Sequence, residues 1–399
     1  MIHLQNQIVL KQGTIHDVIQ GETYIADIFI KDGKIEKIAE ILEPAQINDA
    51  VVMDVSGFEL YPGFVDAHCH LGLDGYAMGT VGQDFNEMTD SVTPQLRGAD
   101  AVNPMDVTFE MARNAGVTTV TTGPGSSNVI GGTFTVIKTV GNCIDDMIVK
   151  RDAGMKCAFG ENPKSCYKEN QVFSRMTIAA KIREMLNGAI FYEKKKLAAG
   201  EDVLKMPEYD AKLEALLPVL HHEIPLKAHV HRADDIFTAI RLAEEFDVGL
   251  VLDHCTEGHL IKEKLAEKGY SVAVGPSFGH ATKQELLHKT FATPGILARA
   301  GCNVAIITDS PVSEERYLPL CAAMAVRNGM TKEDALRAIT INAARHSGVE
   351  ERVGSIEEGK DADLVITKGT IFQMDYEVCY TFIDGKIVYE REKKTGQIG

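Results

Sequence analysis

Between residues 58 and 350 the sequence alternates short apolar, strand-like runs with amphipathic helical stretches. Such alternation predicts an α/β fold in which parallel strands are joined by right-handed helical crossovers. About 290 residues and seven or eight strand–helix units suit a (β/α)8 barrel of the TIM type better than an open sheet. The alternative, a doubly wound sheet, would need a Gly-x-Gly-x-x-Gly loop after its first strand, and none is found there. The later predicted strands are residues 117–122, 155–159, 224–230, 249–252, 271–274 and 303–308.

The two ends of the chain differ from the middle because both consist of short β segments. Asp-Gly pairs at residues 32–33 and 384–385 are typical of tight hairpin turns. Neither end is long enough to bury a core alone. We therefore expect residues 1–57 and 351–399 to form one small, discontinuous β-sandwich domain beside a barrel at residues 58–350.

Composition and charge narrow the class of protein further. The sequence is 45% hydrophobic and 25% charged, and its net charge of −16 disfavours binding to nucleic acids or anionic membranes. Residues 1–10 lack a basic start, and no run of about 18 uncharged apolar residues occurs, so we expect neither a signal peptide nor a transmembrane helix. The eight cysteines are scattered without Cys-x-x-Cys pairs, as is typical of reduced thiols in a cytoplasmic protein.

A pair of histidines, His68 and His70, closes the first apolar strand of the barrel region. Side chains at positions i and i+2 of a strand lie on the same face, so both imidazoles should point the same way. Two imidazoles that converge at the end of a buried strand suit a divalent metal ion of the zinc class. A His-x-His pair alone is a weak signal, so the ends of the other strands decide the interpretation.

Ligand-type residues also follow four later strands, at the edge where barrels place their active sites. Glu161 follows the fourth strand, and His229 and His231 end the fifth. The sixth strand ends in His254, and the eighth ends in Asp309. Because His229 and His231 share a face by alternation, either could bind a metal ion. Histidines and carboxylates at converging strand ends together predict a metal site.

Two irregular stretches lie next to these strand ends in the sequence. Residues 71–103 form a long loop rich in Gly, Asp, Asn and Thr, and a loop of this length is usually functional or disordered. Residues 123–132, with their glycines, are predicted to form a second irregular loop.

Several side chains of these loops and of the fifth strand are candidates for contact with a substrate. They are Glu87, Asn128, His231 and His280. Nothing strongly basic is recognisable in the loops, which disfavours a phosphorylated substrate. His288 and His346 are predicted to lie on helix surfaces.

These motifs resemble those of the amidohydrolase superfamily of metal-dependent hydrolases, over essentially the whole chain. They include Pro-Gly-Phe-Val-Asp-Ala-His-Cys-His at 62–70, Gly-Val-Thr-Thr-Val at 116–120 and Ile-Thr-Asp-Ser at 307–310. Ile-Asn-Ala-Ala-Arg at 341–345 and Gly-Ser-Ile-Glu-Glu-Gly-Lys-Asp-Ala-Asp-Leu-Val at 354–365 fit the same pattern. Within the superfamily the chain is most similar to the imidazolonepropionase-like and Xaa-Pro dipeptidase-like branch.

The resemblance implies a ligand set for two metal ions. His68, His70 and Asp309 would hold one ion, and His229 and His254 would hold the second. His231, two residues after His229, would then face the substrate.

The resemblance also concerns the group that bridges the two ions. Many members use a carboxylated lysine on the fourth strand, and some use glutamate. Glu161 takes this place here, with Lys164 as its rival, and Pro163 favours Glu161 because it indicates that the strand has already ended. Lys156 is expected at the wrong end of its strand to reach the site.

The activity implied is hydrolysis of the C–N bond of an amide or cyclic amide by a metal-bridged hydroxide, with Asp309 as general base and acid. Zinc is the default metal, and manganese, cobalt and iron are alternatives. The expected partner is a small-molecule substrate, and the resemblance is compatible with a homo-oligomer.

Two other functions are disfavoured. Imidazolonepropionases and many deaminases carry a glutamate two residues after the fifth-strand histidine, where this chain has His231. This departure counts against a mononuclear deaminase of a small heterocycle. A non-catalytic scaffold homologue is disfavoured because every ligand position is filled.

Overall fold

The structure is a computed structural model that describes residues 7–43, 50–169 and 171–392. Strands in this part of the chain are β1 (Gln7–Asp17), β2 (Glu22–Lys31), β3 (Lys34–Ala39), β4 (Val51–Asp54), β5 (Glu59–Pro62), β6 (Phe64–Cys69), β7 (Val117–Thr122), β8 (Ile130–Lys138), β9 (Ile148–Ala158), β10 (Leu226–Val230), β11 (Leu250–His254), β12 (Ser271–Val274), β13 (Val304–Ile306), β14 (Leu364–Lys368), β15 (Glu377–Ile383) and β16 (Lys386–Glu390).

The α-helices mostly connect these strands, and short 3₁₀ turns accompany them. They are α1 (Val107–Asn114), α2 (Ile144–Met147), α3 (Glu161–Cys166), α4 (Arg175–Ala199), α5 (Ala211–Glu214), α6 (Leu217–Leu220), α7 (Ala233–Phe246), α8 (Lys262–Lys268), α9 (Thr293–Arg299), α10 (Leu318–Arg327), α11 (Lys332–Ala338) and α12 (Ile341–Ser347). None of the helices in the described residues is long and apolar enough to cross a membrane.

One eight-stranded sheet is built from both ends of the chain, which confirms the predicted second sheet domain. Its order is β16-β15-β14-β5-β1-β2-β3, and β4 also pairs with β1. Apolar side chains from both chain ends, among them Ile15, Leu60, Leu364 and Phe382, share one buried core. This burial explains why neither end needs a core of its own. The domain boundaries at 57/58 and 350/351 stay a prediction.

The other eight-stranded sheet is a nearly closed barrel with the order β13-β12-β11-β10-β9-β8-β7-β6, which confirms the predicted TIM-type fold. Backbone hydrogen bonds just beyond β13 link its end to that of β6. The Asp309 N–H donates to the His68 carbonyl at 3.2 Å, and the His70 N–H donates to the Ser310 carbonyl at 2.8 Å. The two strand ends that carry predicted ligands are therefore neighbours across the closure.

One barrel strand departs from the predicted all-parallel arrangement. β8 pairs antiparallel with both β7 and β9, and its first residues include the glycines that were expected to form a loop. The expectation holds for residues 123–129, which are irregular, but it was wrong for Gly131 and Gly132, which lie in a fully buried strand of the barrel wall. Gly132 has φ +114° and lies against the Leu96 backbone, where a Cβ would come within 2.3 Å of the Leu96 carbonyl oxygen. Glycine at this position therefore permits close strand packing and does not mark a loop.

The interior of the barrel combines small side chains with a single large ring. Ala67, Ala273 and Ala305 pack in the same apolar cluster as Phe134 and α12 residue Ala343. Two lysines, Lys156 and Lys227, are among the largest fully buried side chains of the molecule. Buried lysines need compensating partners, and these partners lie at the candidate site.

Candidate functional site

A first cluster of ligand-type side chains joins the end of β6 to the residue that follows β13. His68 and His70 project from one face of β6, and their Nε2 atoms lie 3.4 Å and 3.3 Å from Oδ1 of Asp309. Asp309 has φ +53°, in the left-handed region that non-glycine residues rarely adopt. A strained backbone conformation at a strand end is typical of a functional site, where the direction of the side chain is important.

A second cluster consists of three histidines on the neighbouring strands β10 and β11. His229, His231 and His254 each place a ring nitrogen within 4.8 Å of the others, and all three side chains are buried. His229 and His231 share a face of the chain by alternation, as predicted. His254 has φ +72° and is therefore, like Asp309, a left-handed residue at a strand end. Both predicted candidates of the fifth strand therefore lie together with His254.

Hydrogen bonds orient most of these rings through Nδ1. Nδ1 of His70 is 2.8 Å from the Gly123 carbonyl oxygen, and Nδ1 of His254 is 2.7 Å from that of Gly275. A carbonyl oxygen can only accept, so Nδ1 carries the proton in both rings and Nε2 keeps its lone pair. His231 Nδ1 is likewise 2.8 Å from the Thr256 hydroxyl. Rings fixed in this way are typical of metal-binding histidines.

Some buried nitrogens of the clusters have no hydrogen-bond partner within the described residues. They are both ring nitrogens of His229 and Nε2 of His254. Buried polar atoms nearly always have a hydrogen-bond partner, so several buried imidazole nitrogens without one indicate that this site binds a cation. The donor set of histidines and one carboxylate fits a divalent metal ion.

The protonation states suit metal binding as well. Burial lowers the pKa of His68, holds those of His229 and His231 well below the usual range, and lowers that of His254 to about 3. Burial alone would raise the pKa of Asp309, but the adjacent imidazoles of His254, His68 and His70 hold it well below its usual value. Neutral imidazoles next to an ionised carboxylate are the ligand forms that metals require.

Lys156 reaches this site, so the expectation that it lies at the wrong end of its strand was wrong. β9 begins at Ile148, seven residues before the predicted start, and Lys156 is close to its carboxyl end. Its Nζ lies 3.5 Å from Nε2 of His68 and 4.0 Å from Oδ2 of Asp253. Burial lowers the pKa of Lys156 to about 8, which makes it a far better nucleophile than an exposed lysine.

Glu161, the predicted bridging residue, is engaged elsewhere. Its Oε1 accepts from the Glu285 N–H at 3.0 Å, and its own N–H donates to Oε2 of Glu285 at 2.9 Å. Within the described residues, neither ligand cluster includes Glu161 or its rival Lys164, which shares the short helix α3. The bridging role of Glu161 stays a prediction, and Lys156 is the residue whose side chain approaches a predicted ligand.

A network that the sequence analysis missed lies beneath the two clusters. Asp253 holds Oδ2 at 3.0 Å from Nδ1 of His68, while its Oδ1 lies 2.9 Å from Lys227 Nζ and 3.1 Å from His346 Nε2. His346 was expected on a helix surface, but it is 3% exposed, because α12 turns it toward the end of the barrel. Its Nδ1 is 2.9 Å from the Ser271 hydroxyl. A lysine within an otherwise apolar strand was the signal for this network.

A cavity of about 430 Å³ opens onto both clusters. His70, His229, His231 and Asp309 form its floor, and His280 also lines it, while contact of His280 with a substrate stays a prediction. Its other lining residues are Phe85, Asn86, Gly125, Ser126, Asn162, Pro276, Phe278, Gly279, Thr282, Lys283, Leu286, Lys289, Pro311 and Val312. The two lysines correct the expectation that nothing strongly basic lines the loops.

Two predicted substrate contacts lie away from this cavity. The Asn128 amide donates to the Asp90 carbonyl at 2.7 Å and to the Tyr167 hydroxyl at 3.0 Å, and its oxygen accepts from Ser127. Oε1 of Glu87 accepts from the Thr89 backbone and hydroxyl, both at 2.7 Å. Both side chains stabilise the loops around the site, and their role in substrate contact stays a prediction.

Comparison with known proteins places this geometry in context. Residues 60–388 match the model of the amidohydrolase family. The crystal structure of an amidohydrolase from Thermotoga maritima MSB8 is 42% identical, covers 96% of this chain and 100% of its own, and superposes with a TM-score of 0.92.

Two other relatives are less similar in sequence. Amidohydrolase tasK of Hapsidospora irregularis is 26% identical to this chain. The match covers 92% of this chain and 40% of the length of tasK. Imidazolonepropionase of Thermoplasma volcanium is 24% identical, and the match covers 92% of both chains. The resemblance inferred from the motifs is confirmed.

Proposed function

We propose that this chain, which belongs to the amidohydrolase family, hydrolyses the C–N bond of an amide or cyclic amide with the help of divalent metal ions. The observation that carries the proposal is the meeting of two ligand clusters, each with three side chains, at the floor of one cavity. The eight cysteines are free, as expected of a cytoplasmic enzyme, and that location is part of the proposal.

The residues would divide between two ions. His68, His70 and Asp309 would hold one, and His229 and His254 the other, with His231 at the same cluster as a further ligand or a contact for the substrate. The orphaned nitrogens of His229 and His254 and the ionised carboxylate of Asp309 support this assignment. Zinc suits a set of imidazoles and one carboxylate.

Lys156 is our candidate for the bridging group in place of Glu161. A neutral amine can add carbon dioxide, with release of one N–H proton, to form a carbamate, which would supply oxygen ligands for divalent cations. The lowered pKa of Lys156, about 8, leaves an appreciable neutral fraction near neutral pH. Its Nζ lies 3.5 Å from Nε2 of His68, one of the proposed metal ligands.

The chain's own groups account for substrate binding and proton movement. Bound divalent ions would supply an acidified water and polarise the scissile carbonyl. Asp309 borders the cavity and can take the proton of the attacking water and pass it to the leaving nitrogen as the C–N bond breaks. The products are then a carboxylate and an amine. Phe85, stacked on His70 at 5.0 Å between ring centres, helps to keep bulk water from this floor.

The first test is the metal content per subunit of protein purified without chelator, for wild type, Lys156→Met and Glu161→Gln. We expect two ions in the wild type, one or none in Lys156→Met, and two in Glu161→Gln. Glu161→Gln is the matched control because it also removes a charge next to the fourth strand. Circular dichroism of all three proteins checks that they are folded.

Other outcomes of this measurement separate the alternatives. Loss of metal in Glu161→Gln but not in Lys156→Met would return the bridging role to Glu161. One ion in all three proteins would favour the mononuclear deaminase. No ion, even after growth with added zinc, would contradict the proposed function.

A further inference from the structure

The wall of the cavity is basic although the chain as a whole is strongly acidic. Lys283, Lys289 and His280 line it, while Asp309 on the floor is the one acidic residue among the described residues of the lining. The net charge of the sequence is −16, so the lysines at this cavity contrast with the chain as a whole. An uncompensated ammonium at a binding cavity favours anionic ligands.

The two lysines differ in how their charge is compensated. Nζ of Lys283 lies 2.6 Å from Oε1 of buried Glu285 and 2.8 Å from the Asn162 side-chain oxygen. Asn162 in turn donates to the Ser126 hydroxyl at 2.6 Å. Lys283 is therefore neutralised, and its role is to hold a polar edge of the cavity in place.

Lys289 has no such compensation. Its ammonium donates to the Phe278 carbonyl oxygen at 2.7 Å, and no carboxylate among the described residues forms an ion pair with it. Burial lowers its pKa, and no neighbouring charge contributes to that shift. An ammonium has three donors, so at least two remain for a ligand. A half-buried cation anchored in a cavity wall without a counter-ion is a binding group for an anion.

The remaining lining is apolar and limits the size of the ligand. Phe85, Pro276, Phe278, Pro311 and Val312 line the same cavity as Lys289 and the metal-ligand clusters. About 430 Å³ accommodates a molecule of roughly dipeptide size. The lining contains no arginine among its described residues, and one uncompensated ammonium matches the single charge of a carboxylate rather than the double charge of a phosphate. A carboxylate therefore fits this wall better than a phosphate.

We propose that the cavity selects amides that carry a free carboxylate, and that Lys289 is the residue that binds this carboxylate. The inference rests on the proposed amide hydrolysis and adds the substrate class. Lys289 would hold the anionic end of the substrate against the wall while the scissile amide lies over the histidine clusters. Its neighbour Phe278, whose carbonyl orients the ammonium, would contact the apolar part.

The experiment uses matched pairs of small amides: N-acetyl-leucine, N-acetyl-phenylalanine and N-acetyl-proline, each as the free acid and as the carboxamide. Binding to the metal-loaded enzyme is measured by calorimetry, and hydrolysis by release of the amine. The proteins are wild type, Lys289→Met, Lys289→Arg and, as a control outside the cavity, Lys264→Met.

We expect the wild type to prefer at least one acid over its carboxamide by 10- to 100-fold in Kd, since a hydrogen bond to a charged group contributes on this scale. Lys289→Met should lose this preference, mainly through KM where hydrolysis is seen. Lys289→Arg should regain most of it, and Lys264→Met should keep it. Raising the salt concentration should weaken the preference in the wild type.

The two proposals can fail separately. A preference for the acid that disappears in Lys289→Met, without hydrolysis of any amide, would support the binding role and contradict the proposed hydrolysis. Equal affinity for acids and carboxamides, a preference that survives in Lys289→Met, or no binding of any acid at millimolar concentration would overturn the role of Lys289, whatever the hydrolysis.

Discussion

Lys138 links the barrel to the terminal sheet through a buried ion cluster. Its replacement tests how much this cluster contributes to the free energy of unfolding. It ends β8, is 4% exposed, and contacts the carboxylate of Asp363. Its Nζ also lies 3.1 Å from Asp361 and 3.5 Å from Asp384. Burial disfavours its charge, but the carboxylates of Asp363, Asp384 and Asp361 outweigh burial and raise the pKa of Lys138. We expect Lys138→Met to leave one buried carboxylate without a cation.

The structure identifies that carboxylate as Asp363. Without Lys138, Asp361 still has Lys34 at 2.5 Å and Arg352 at 2.8 Å. Asp363 is left with the Asp384 N–H at 3.0 Å, and burial already raises the pKa of Asp363 in the wild type. If Asp363 takes up a proton, folding at pH 7 costs about 1.36 kcal/mol for each pH unit above an unfolded pKa of about 3.9, or about 4 kcal/mol.

The sign of the pH dependence follows from the same reasoning. The folded variant holds a proton that the unfolded chain has lost above about pH 4, so its destabilisation grows as the pH rises. At pH 5 the loss should be only about 1.5 kcal/mol. Urea denaturation followed by circular dichroism at pH 5, 6 and 7 measures this difference for Lys138→Met against the wild type.

Two further variants make the measurement decisive. Adding Asp363→Asn to Lys138→Met removes the stranded charge and should recover most of the lost stability and its pH dependence. Lys264→Met breaks an exposed pair with Glu267 at 2.6 Å and should cost less than about 1 kcal/mol. A loss below about 1 kcal/mol for Lys138→Met at pH 7, or a loss independent of pH, would refute the assignment.

Two predictions concern the site itself. Asp309→Asn should lower kcat by about 10²- to 10⁴-fold with an unchanged circular dichroism spectrum, because its proton transfer is lost; near wild-type turnover would remove Asp309 from the mechanism. Asp253→Asn should weaken metal binding by about 10- to 100-fold in a chelator competition, because the carboxylate 3.0 Å from Nδ1 of His68 is neutralised. Asp234→Asn, at the surface beside Arg232, is its control, and equal metal affinity of the two variants would contradict the orienting role of Asp253.

The convergence of the ligands could be predicted because it depends on local sequence and on one rule of topology. Alternation puts His68 and His70 on one face, and the carboxyl ends of barrel strands meet at one edge. Those two facts are enough to bring His229, His254 and Asp309 to the same place without knowledge of any loop. The structure gathers these side chains into two clusters, one with His68, His70 and Asp309 and one with His229 and His254. Their roles as metal ligands stay a prediction.

Three expectations were wrong, each for a different structural reason. The glycines at the start of β8 indicated a loop, although in this barrel they allow a strand to pack against the Leu96 backbone. Lys156 was excluded because the start of β9 was placed too late, and strand ends are the least certain feature of a sequence pattern. His346 has polar neighbours in its helix, and only the tertiary contact with Asp253 reveals its burial.

Lys156 and Lys227 occupy equivalent positions on paired strands, yet their buried ammonium groups have different partners. They are register partners on β9 and β10, and both ammonium groups lie over the Phe134 ring, at 5.2 Å and 5.3 Å. Nζ of Lys227 lies 2.9 Å from Asp253 and 2.9 Å from the Ala67 carbonyl oxygen. Lys156 has the same carboxylate only at 4.0 Å, and this carboxylate does not fully offset the free-energy cost of burying the ammonium, so the pKa of Lys156 is lowered to about 8. A buried lysine that is poorly compensated as an ammonium is one that gains from conversion to a carbamate, which two cations would stabilise. Of these two buried lysines, the one with the weaker partners is therefore the one that the proposed metal centre would use.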